Sequence, residues 1–534
     1  MARTSRLPLA AVGLVAALLA YVGCSSSTPT GAGQGSGPAA VPPARETGKP
    51  DAKGAGKGVN SFVDWPKPRA ALLVSGEQLG YLEPCGCTEG QLGGLLRRYE
   101  LVDRLTRQEG WPLALVDLGS LVKDPAAARG GPEQTKIKFH VALKALAAMK
   151  YDALALSPED LKVGVDEAVG QFLNLPGDRL KVVAANVTAA GLEAKVVPSV
   201  RVELGTVTIG VTAVVDPERL KALRDPSLDL LAVRPIDEAL PAVLADLEKT
   251  TQTQVLLVQA SPGTARALAE KYPGFDVVVS TSPLDVTPDD AERLNGGKTL
   301  LVSVGQKGKY VGVVGLFDDP AKPYRYQRVT LGARYDGEAG PMKAVVEGEY
   351  RDTLKAQGVV ENFPRHDFVN AAPGATFAGA EGCKECHKNT YDRWAGTKHA
   401  RAYTSLERDP KPNAVFDAEC VTCHTTGFEY TSGWKSPELT SLLKGNQCEN
   451  CHGPGSKHAE EPDNKDYLSA LHLTADQADK NRLCLRCHDE DNSPHFDFAK
   501  YYPQIAHKGL DDLKDPRFHK GRPSRPEVTT KGGK

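Results

Sequence analysis

Four copies of a five-residue pattern, Cys-x-x-Cys-His, lie within residues 383–488 of this 534-residue chain. The copies are Cys383-Lys384-Glu385-Cys386-His387, Cys420-Val421-Thr422-Cys423-His424, Cys448-Glu449-Asn450-Cys451-His452 and Cys484-Leu485-Arg486-Cys487-His488. This pattern is the attachment signature of c-type haem, in which both sulfurs form thioether bonds and the histidine ligates the iron. Zinc is the alternative for paired cysteines, but a zinc site does not require a histidine after the second cysteine in every copy. The sequence therefore predicts four c-type haems.

The methionines and histidines present in the chain limit which residues can be the second axial ligand of each haem iron. The three methionines, at positions 1, 149 and 342, lie outside the motif region, so ligation by histidine and methionine is not expected. The region holds further histidines outside the motifs, namely His399, His458, His472, His495, His507 and His519. Ligation by two histidines lacks the potential-raising methionine, so low-potential electron transfer is expected.

The N-terminus predicts export, which suits covalent haem. Two arginines precede an uncharged run, 7–23, which is short for a membrane span and is typical of a signal peptide. The run ends at Cys24 in a sequence similar to a bacterial lipobox, and 24–66 reads as a lipidated, disordered tether rich in Ser, Gly and Pro. We expect a periplasmic or outer-membrane lipoprotein of a bacterial cell envelope. A simple signal peptide 1–23, or an uncleaved anchor, with an incidental Cys24 is the alternative.

Composition divides the remaining chain into two bodies. From 67 to 337, short apolar runs alternate with helical patterns such as 136–149 and 236–249, which predicts an α/β domain. Residues 338–376 read as a connector with one helix near 342–357. Residues 377–510 are polar and should fold as mostly α-helical segments around the haems, and 511–534 read as a disordered tail.

Three motifs lie in order along the α/β region. They are Ala185-Asn186-Val187, Phe275-Asp276-Val277-Val278-Val279 and Gly305-Gln306-Lys307-Gly308-Lys309-Tyr310-Val311-Gly312. With the order of the apolar runs, they resemble the metallophosphoesterase domain of bacterial 5′-nucleotidases over about 69–320. The resemblance implies a four-layer α/β sandwich that holds two metal ions. The family's ligand positions are replaced here by Leu79, Ser120, 157–160, 260–263 and 281–284. Two-metal hydrolysis needs a bridging carboxylate and imidazoles, so we predict a degenerate, non-catalytic domain for docking or sensing.

Two alternatives remain open in this domain. Glu77, Glu159 and Asp160 could form a weak rebuilt metal site with residual phosphoesterase activity. Cys85 and Cys87, in the position of the family's active-site loop, could form a redox pair or bind a metal, or could be a structural pair in a glycine turn.

Segments beside the haem motifs also show a family likeness. The first motif leads into 391–400, the second into Gly427-Phe428, and the third continues as Gly453-Pro454-Gly455-Ser456-Lys457-His458. These segments resemble the tetrahaem cytochrome c-554 family over about 377–510.

The resemblance implies the distal iron ligands. It points to His458 opposite His387 and to His399 opposite His452. His507 is our choice opposite His488. In that family the second haem is five-coordinate, so the iron of His424 would be open, or His495 would complete it. For each distal candidate, a surface histidine with no ligand role is the alternative.

We therefore expect an exported tetrahaem cytochrome that relays electrons to unidentified redox partner proteins and contacts the membrane through its lipid anchor. The net charge of −2 argues against a nucleic-acid partner. The competing hypothesis is a redox enzyme that acts on a small substrate at an open second haem or at the Cys85/Cys87 pair. An electron-transfer protein is favoured over an enzyme.

Overall fold

The protein is described by a computed structural model over residues 61–84, 90–337, 340–409 and 411–511. The predicted signal peptide, most of the tether with Cys24, the Cys85/Cys87 pair, and the C-terminal tail with His519 lie outside the described residues. In the described part, strands and helices alternate up to residue 330, as the apolar runs predicted.

The strands are β1 Ala70–Ser75, β2 Leu113–Asp117, β3 Ala153–Ala155, β4 Lys181–Val183, β5 Val187–Ala189, β6 Val196–Val197, β7 Ser199–Leu204, β8 Val207–Val215, β9 Leu231–Val233, β10 Thr253–Gln259, β11 Val277–Thr281, β12 Glu292–Leu294, β13 Thr299–Val304, β14 Tyr310–Leu316 and β15 Tyr324–Thr330. The helices are α1 Leu95–Asp103, α2 Gly131–Ala148, α3 Val165–Leu173, α4 Pro217–Lys221, α5 Ile236–Thr250, α6 Pro262–Lys271, α7 Gly340–Lys343, α8 Tyr350–Ala356, α9 Lys388–Ala395, α10 Ala402–Glu407, α11 Ala418–His424, α12 Cys448–His452, α13 Ser456–Glu460, α14 Lys465–Leu471, α15 Ala475–Lys480 and α16 Phe498–Tyr501.

Two large sheets form the centre of the α/β region. The first has the order β15-β14-β1-β2-β3-β4-β6, with β1 parallel to β2 and antiparallel to β14. The second has the order β12-β13-β11-β10-β8-β7, in which β8, β10, β11 and β13 run parallel. β5 and β9 form a separate two-stranded ribbon.

The sheets face each other, and helices cover their outer faces. Side chains alternate along a strand, so Leu72 and Val74 of β1 enter the apolar cluster between the sheets, whereas Leu73 packs against the helices on the other side. A third cluster lies between the second sheet and helices α5 and α6. The result is a helix–sheet–sheet–helix sandwich, and the predicted four-layer α/β fold is confirmed.

The predicted helix of the connector is confirmed. α7 continues through a π-helical segment, Ala344–Glu349, into α8; α7 packs beside α1, and the other two pieces pack beside α2. Lys144 donates to Glu349 at 2.6 Å, and Tyr350 is buried against α2.

The haem-motif region is made of short helices joined by long loops, as the polar composition predicted. It nevertheless buries its own aromatic side chains, because Trp434, Phe428 and Tyr403 belong to the same apolar cluster as the helix layer of the α/β region. Both regions fall within one compact unit of the chain. Among the described helices, none is both long enough and apolar enough to cross a membrane.

Candidate haem-binding site

Each Cys-x-x-Cys-His motif lies at or beside a short helical turn. The second and third motifs are within α11 and α12, the fourth begins with a 3₁₀ turn, Cys484–Arg486, and the first directly precedes α9. Residues three and four apart lie on one face of a helix, so each turn places two sulfurs and an imidazole together. All eight motif cysteines are partly exposed, so a porphyrin could reach their sulfurs.

Three histidines outside the motifs lie opposite motif histidines. The ring centres are 6.4 Å apart for His387 and His458, 6.0 Å for His399 and His488, and 5.7 Å for His452 and His507. A metal bound about 2 Å from a nitrogen of each ring would separate two imidazole centres by roughly 6 Å. The donor set and its spacing therefore fit an iron held between each pair.

Two of the expected pairings are exchanged in the structure. His458 lies opposite His387, as expected, but His399 lies opposite His488 and not His452. His507 lies opposite His452 and not His488. The physical reason is the path of the backbone. The loop before α10 lines the cavity at the fourth motif, and the segment after α16 returns to the third motif, whereas α10 itself packs against α11 of the second motif.

Hydrogen bonds fix the orientation of the motif imidazoles. The Nδ1 atom of His452 lies 2.8 Å from the carbonyl of Leu471, and that of His488 lies 2.8 Å from the hydroxyl of Ser493. A donor bond at Nδ1 leaves Nε2 as the ligand atom and increases its basicity. Burial lowers the pKa of His387, His399, His452 and His488, which favours the neutral, metal-binding form.

The second motif differs from the others. His424 Nδ1 lies 2.6 Å from the carbonyl of Ala402 and 3.2 Å from the hydroxyl of Ser405. Within the described ranges, no other imidazole ring is in contact with His424. His495 is exposed and lines a cavity at the fourth motif, so the structure does not bring it to His424. Whether this iron is open stays a prediction.

Contacts between sulfur atoms show which motifs are neighbours. The sulfur of Cys383 lies beside that of Cys448, the sulfur of Cys423 lies beside that of Cys487, and Cys451 lies near Cys484. The motifs are therefore adjacent in the spatial order first, third, fourth, second.

A cavity of about 900 Å³ lies at the fourth motif. Its lining includes Cys484, Cys487, His488 and, opposite, His399. Cofactor sites in proteins are typically about 300–1,000 Å³. The volume and the ligands on both sides fit a haem attached at this motif.

The residues that the family resemblance placed at a two-metal site form a different arrangement. Glu159 pairs with Arg219 at 3.2 Å and with Lys162 at 2.8 Å, and Asp160 accepts from the backbone amide of Val122. Burial raises the pKa of Glu77 to about 7, and a hydrogen bond with Ser120 opposes this shift. No cluster of three or more potential metal-ligating side chains occurs in the described part of the chain.

The α/β region directly supports the second haem motif, which sequence reasoning missed. Gln134 of α2 donates to Asp417 at 2.8 Å and accepts from the amide of Ala418 at 3.0 Å. One turn later, Lys138 pairs with Glu419 at 2.5 Å. The first residues of α11 are thus bound by α2. The sequence signal was present as two polar residues, four apart, on an apolar helix face.

The segment after the fourth motif is bound in the same way. Asp491 accepts from the Tyr81 hydroxyl at 2.6 Å and from Lys307 at 2.8 Å, and Gln91 donates to its carbonyl. Tyr81 and Lys307 belong to the loops that follow β1 and β13. The haem-motif region therefore packs against the loops that follow one strand of each large sheet.

Comparison with known proteins gives two kinds of match. Residues 382–453 match the family model described as cytochrome c554 and c-prime. Cytochrome c-554 of Nitrosomonas europaea is 35% identical over 96 residues, which cover 16% of this chain and 41% of that protein. The chain thus spans about two fifths of the relative it matches.

The matching solved structures are of a different class. A 5′-nucleotidase precursor from Thermus thermophilus has a TM-score of 0.45 and 19% identity, and the match covers 61% of this chain and 68% of that one. The calcineurin-like phosphoesterase YfkN from Bacillus subtilis has a TM-score of 0.44 and 18% identity, with 55% of this chain and 99% of that chain covered. These are the two resemblances that the sequence motifs predicted.

Proposed function

We propose that the protein is an exported tetrahaem c-type cytochrome that relays electrons through closely spaced, mainly bis-histidine haems. The observation that carries the proposal is the set of three imidazole pairs, each joining one motif histidine to one other histidine at 5.7–6.4 Å. Bound haem would supply reversible one-electron chemistry at the iron. The protein's own part is to hold and orient the rings.

The spatial order of the motifs supports a relay. Sulfur contacts join the first motif to the third, the third to the fourth and the fourth to the second. Haems attached at neighbouring motifs would be close to one another, so electrons would move along one continuous series. We expect that redox partner proteins deliver or accept electrons at its ends.

Haem content is the first test. An alkaline pyridine haemochrome assay of the exported protein should give four haems per chain, and intact mass should show four covalent additions. A chain with Cys484→Ser and Cys487→Ser should give three. Two or fewer haems on the unaltered chain would contradict the proposal, and bound zinc without haem would favour the zinc alternative.

A redox enzyme is the second candidate, and the environment of His424 favours it. Its Nδ1 atom is fixed by Ala402 and Ser405, yet no imidazole faces it within the described residues. An iron held there by one histidine could bind a small substrate such as a nitrogen oxide. The Cys85/Cys87 pair belongs to the same hypothesis.

Carbon monoxide separates these two candidates. Added to the reduced protein, it should shift the Soret band of about one haem per chain if the second iron is open. An unchanged spectrum would count against an open second iron and would leave electron relay as the remaining hypothesis for the haems. Turnover of nitrite, nitric oxide or hydroxylamine, lost in a Cys85→Ser/Cys87→Ser chain, would assign activity to the thiols instead.

We propose a non-catalytic role in docking or sensing for the α/β domain. Glu77, Glu159 and Asp160 would be the ligands of a residual site, but Glu159 is neutralised by two cations and Asp160 binds a backbone amide. Two transition-metal equivalents beyond haem iron, with phosphatase activity lost in Asp160→Asn, would restore the residual phosphoesterase alternative.

The proposal includes lipidation at Cys24 and a periplasmic or outer-membrane location. Cell fractionation and mass spectrometry of the mature N-terminus test both. A Cys24→Ala chain should leave the membrane fraction while it keeps its haems.

A further inference from the structure

Arg129 extends from the α/β region into the haem-motif region. It lies in the turn between β2 and α2, which Asp124 stabilises by accepting from the amide of Ala126 at 2.9 Å. The Arg129 guanidinium donates to the carbonyl of Arg486 at 2.9 Å and to Asp489 Oδ2 at 2.8 Å. These partners lie inside and directly after the fourth motif.

The guanidinium is also close to the sulfurs of two motifs. It lines the cavity of about 900 Å³ together with Cys487 and His488. The sulfurs of Cys423 and Cys487, which lie side by side, are both near the guanidinium. Since those sulfurs would become thioethers, Arg129 lies between the attachment sites of the second and fourth motifs, where its charge would be near both haems.

Other charges at this place partly balance Arg129. The Asp489 carboxylate pairs with it through Oδ2, while Oδ1 accepts from the amides of Asp491 and Asn492. Glu419 and Lys123 lie farther along the same interface, and Arg486 pairs with Glu429. The Arg129 side chain is about one quarter exposed, so water screens its charge only in part.

We infer that Arg129 raises the reduction potentials of the haems held at the second and fourth motifs, so that the α/β domain helps to set the driving force of the relay. This inference rests on the proposed haem attachment. Reduction adds one negative charge to a haem, and a fixed cation nearby stabilises the reduced form. Asp489 acts in the opposite direction. Arg129 is thus a positioning and tuning residue outside the cytochrome-like part of the chain.

Spectroelectrochemical titration of the haem-loaded full chain tests the inference. Arg129→Gln should move one or two of the four one-electron waves to lower potential and leave the others in place. Asp489→Asn should move the same waves upward, because Arg129 is then unopposed. Arg129→Lys, which keeps the charge, should give a smaller shift than Arg129→Gln. Lys136→Gln, which removes a partly exposed cation on α2, is the matched control and should move none.

The outcomes remain separable. Haem content is measured first on each variant. A chain that carries no haem at the second and fourth motifs would refute the proposed function, whereas the effect of Arg129 on the reduction potentials is judged only on chains that carry these haems. If Arg129→Gln does not fold, Asp489→Asn decides. Unchanged waves in every folded, fully loaded variant of Arg129 and Asp489 would overturn the inference, as would an equal shift in Lys136→Gln.

Discussion

The guanidinium of Arg98 lies 3.2 Å from the carboxylate of Asp117, and both side chains are almost completely shielded from solvent. Asp117 ends β2 and also accepts from the hydroxyl of Ser75 at 2.6 Å and from the amide of Gly119 at 2.8 Å. Burial raises the pKa of Asp117, while Arg98 opposes the shift. A cation on helix α1 thus balances a buried carboxylate at the end of β2.

Removal of Arg98 should therefore destabilise the fold strongly. Arg98→Met leaves Asp117 as a buried carboxylate without a cation, and the loss of one partner of a buried pair costs about 3–5 kcal/mol. The change in the free energy of unfolding is measured by denaturing the haem-loaded protein with guanidinium chloride and following far-UV circular dichroism.

Two variants serve as controls for this pair. Arg107, which pairs with Asp103 at 3.0 Å, is 76% exposed, so Arg107→Met should cost less than about 1 kcal/mol. Adding Asp117→Asn to Arg98→Met should recover part of the loss. A destabilisation by Arg98→Met no larger than that by Arg107→Met would contradict the role assigned to Arg98.

Glu77 should make stability fall as the pH rises. Burial raises its pKa from 4.5 to about 7, so between these values the folded chain binds a proton that the unfolded chain releases. The stabilisation is complete below pH 4.5 and is lost as the pH rises through 7, a change of roughly 3 kcal/mol. Unfolding of Glu77→Gln and of the unaltered chain between about pH 4 and 8 tests this. The variant should gain relative stability with pH, and parallel curves would refute the shift.

The motif cysteines and histidines could be predicted as haem-binding residues from the sequence because their chemistry depends on spacing within five residues. The alternation of apolar runs likewise predicted the sandwich, since each strand buries both faces against a neighbouring layer. The pairing of each distal histidine with a motif histidine could be read only from the three-dimensional structure. Sequence distance does not indicate that His399 reaches His488 and not His452, because long loops determine which turn lies opposite.

Contacts between the two regions were also beyond sequence reasoning. Arg129 and Asp489 are 360 positions apart, and each alone resembles an ordinary surface charge. Lys138 gave a weak signal, as a cation on an otherwise apolar helix face. The docking role that the sequence predicted for the α/β domain remains a proposal, but its helix α2 is already engaged with the second haem motif.

Lys138 should couple the stability of the two regions. Its side chain is 11% exposed, and its Nζ atom lies 2.5 Å from the carboxylate of Glu419 on α11. Lys138→Met removes the main partner of Glu419, whose side chain is 30% exposed, so the cost should lie between those of an exposed and a buried pair, about 1–3 kcal/mol. Lys136→Met, two residues away and partly exposed, should cost less than about 0.5 kcal/mol. In a double-mutant cycle with Glu419→Gln, the effects should not add. Strict additivity would show that the pair contributes no coupling.

The exchanged pairings predict which haem each distal histidine serves. His399→Ala, His507→Ala and His458→Ala should each convert one low-spin haem to a high-spin, carbon monoxide-binding form, measured by electron paramagnetic resonance and absorption. His472→Ala, whose ring is exposed, is the control and should convert none.

A chain without the fourth haem, Cys484→Ser/Cys487→Ser, makes the assignment specific. His399 lies 6.0 Å from His488, so in this background His399→Ala should create no further high-spin haem. His507 lies 5.7 Å from His452, so His507→Ala should still create one at the third motif. The opposite result, in which only His399→Ala creates a further high-spin haem, would show that His399 is paired with His452. The reason is that removal of a distal histidine changes the spin state only of the haem whose iron that histidine ligates.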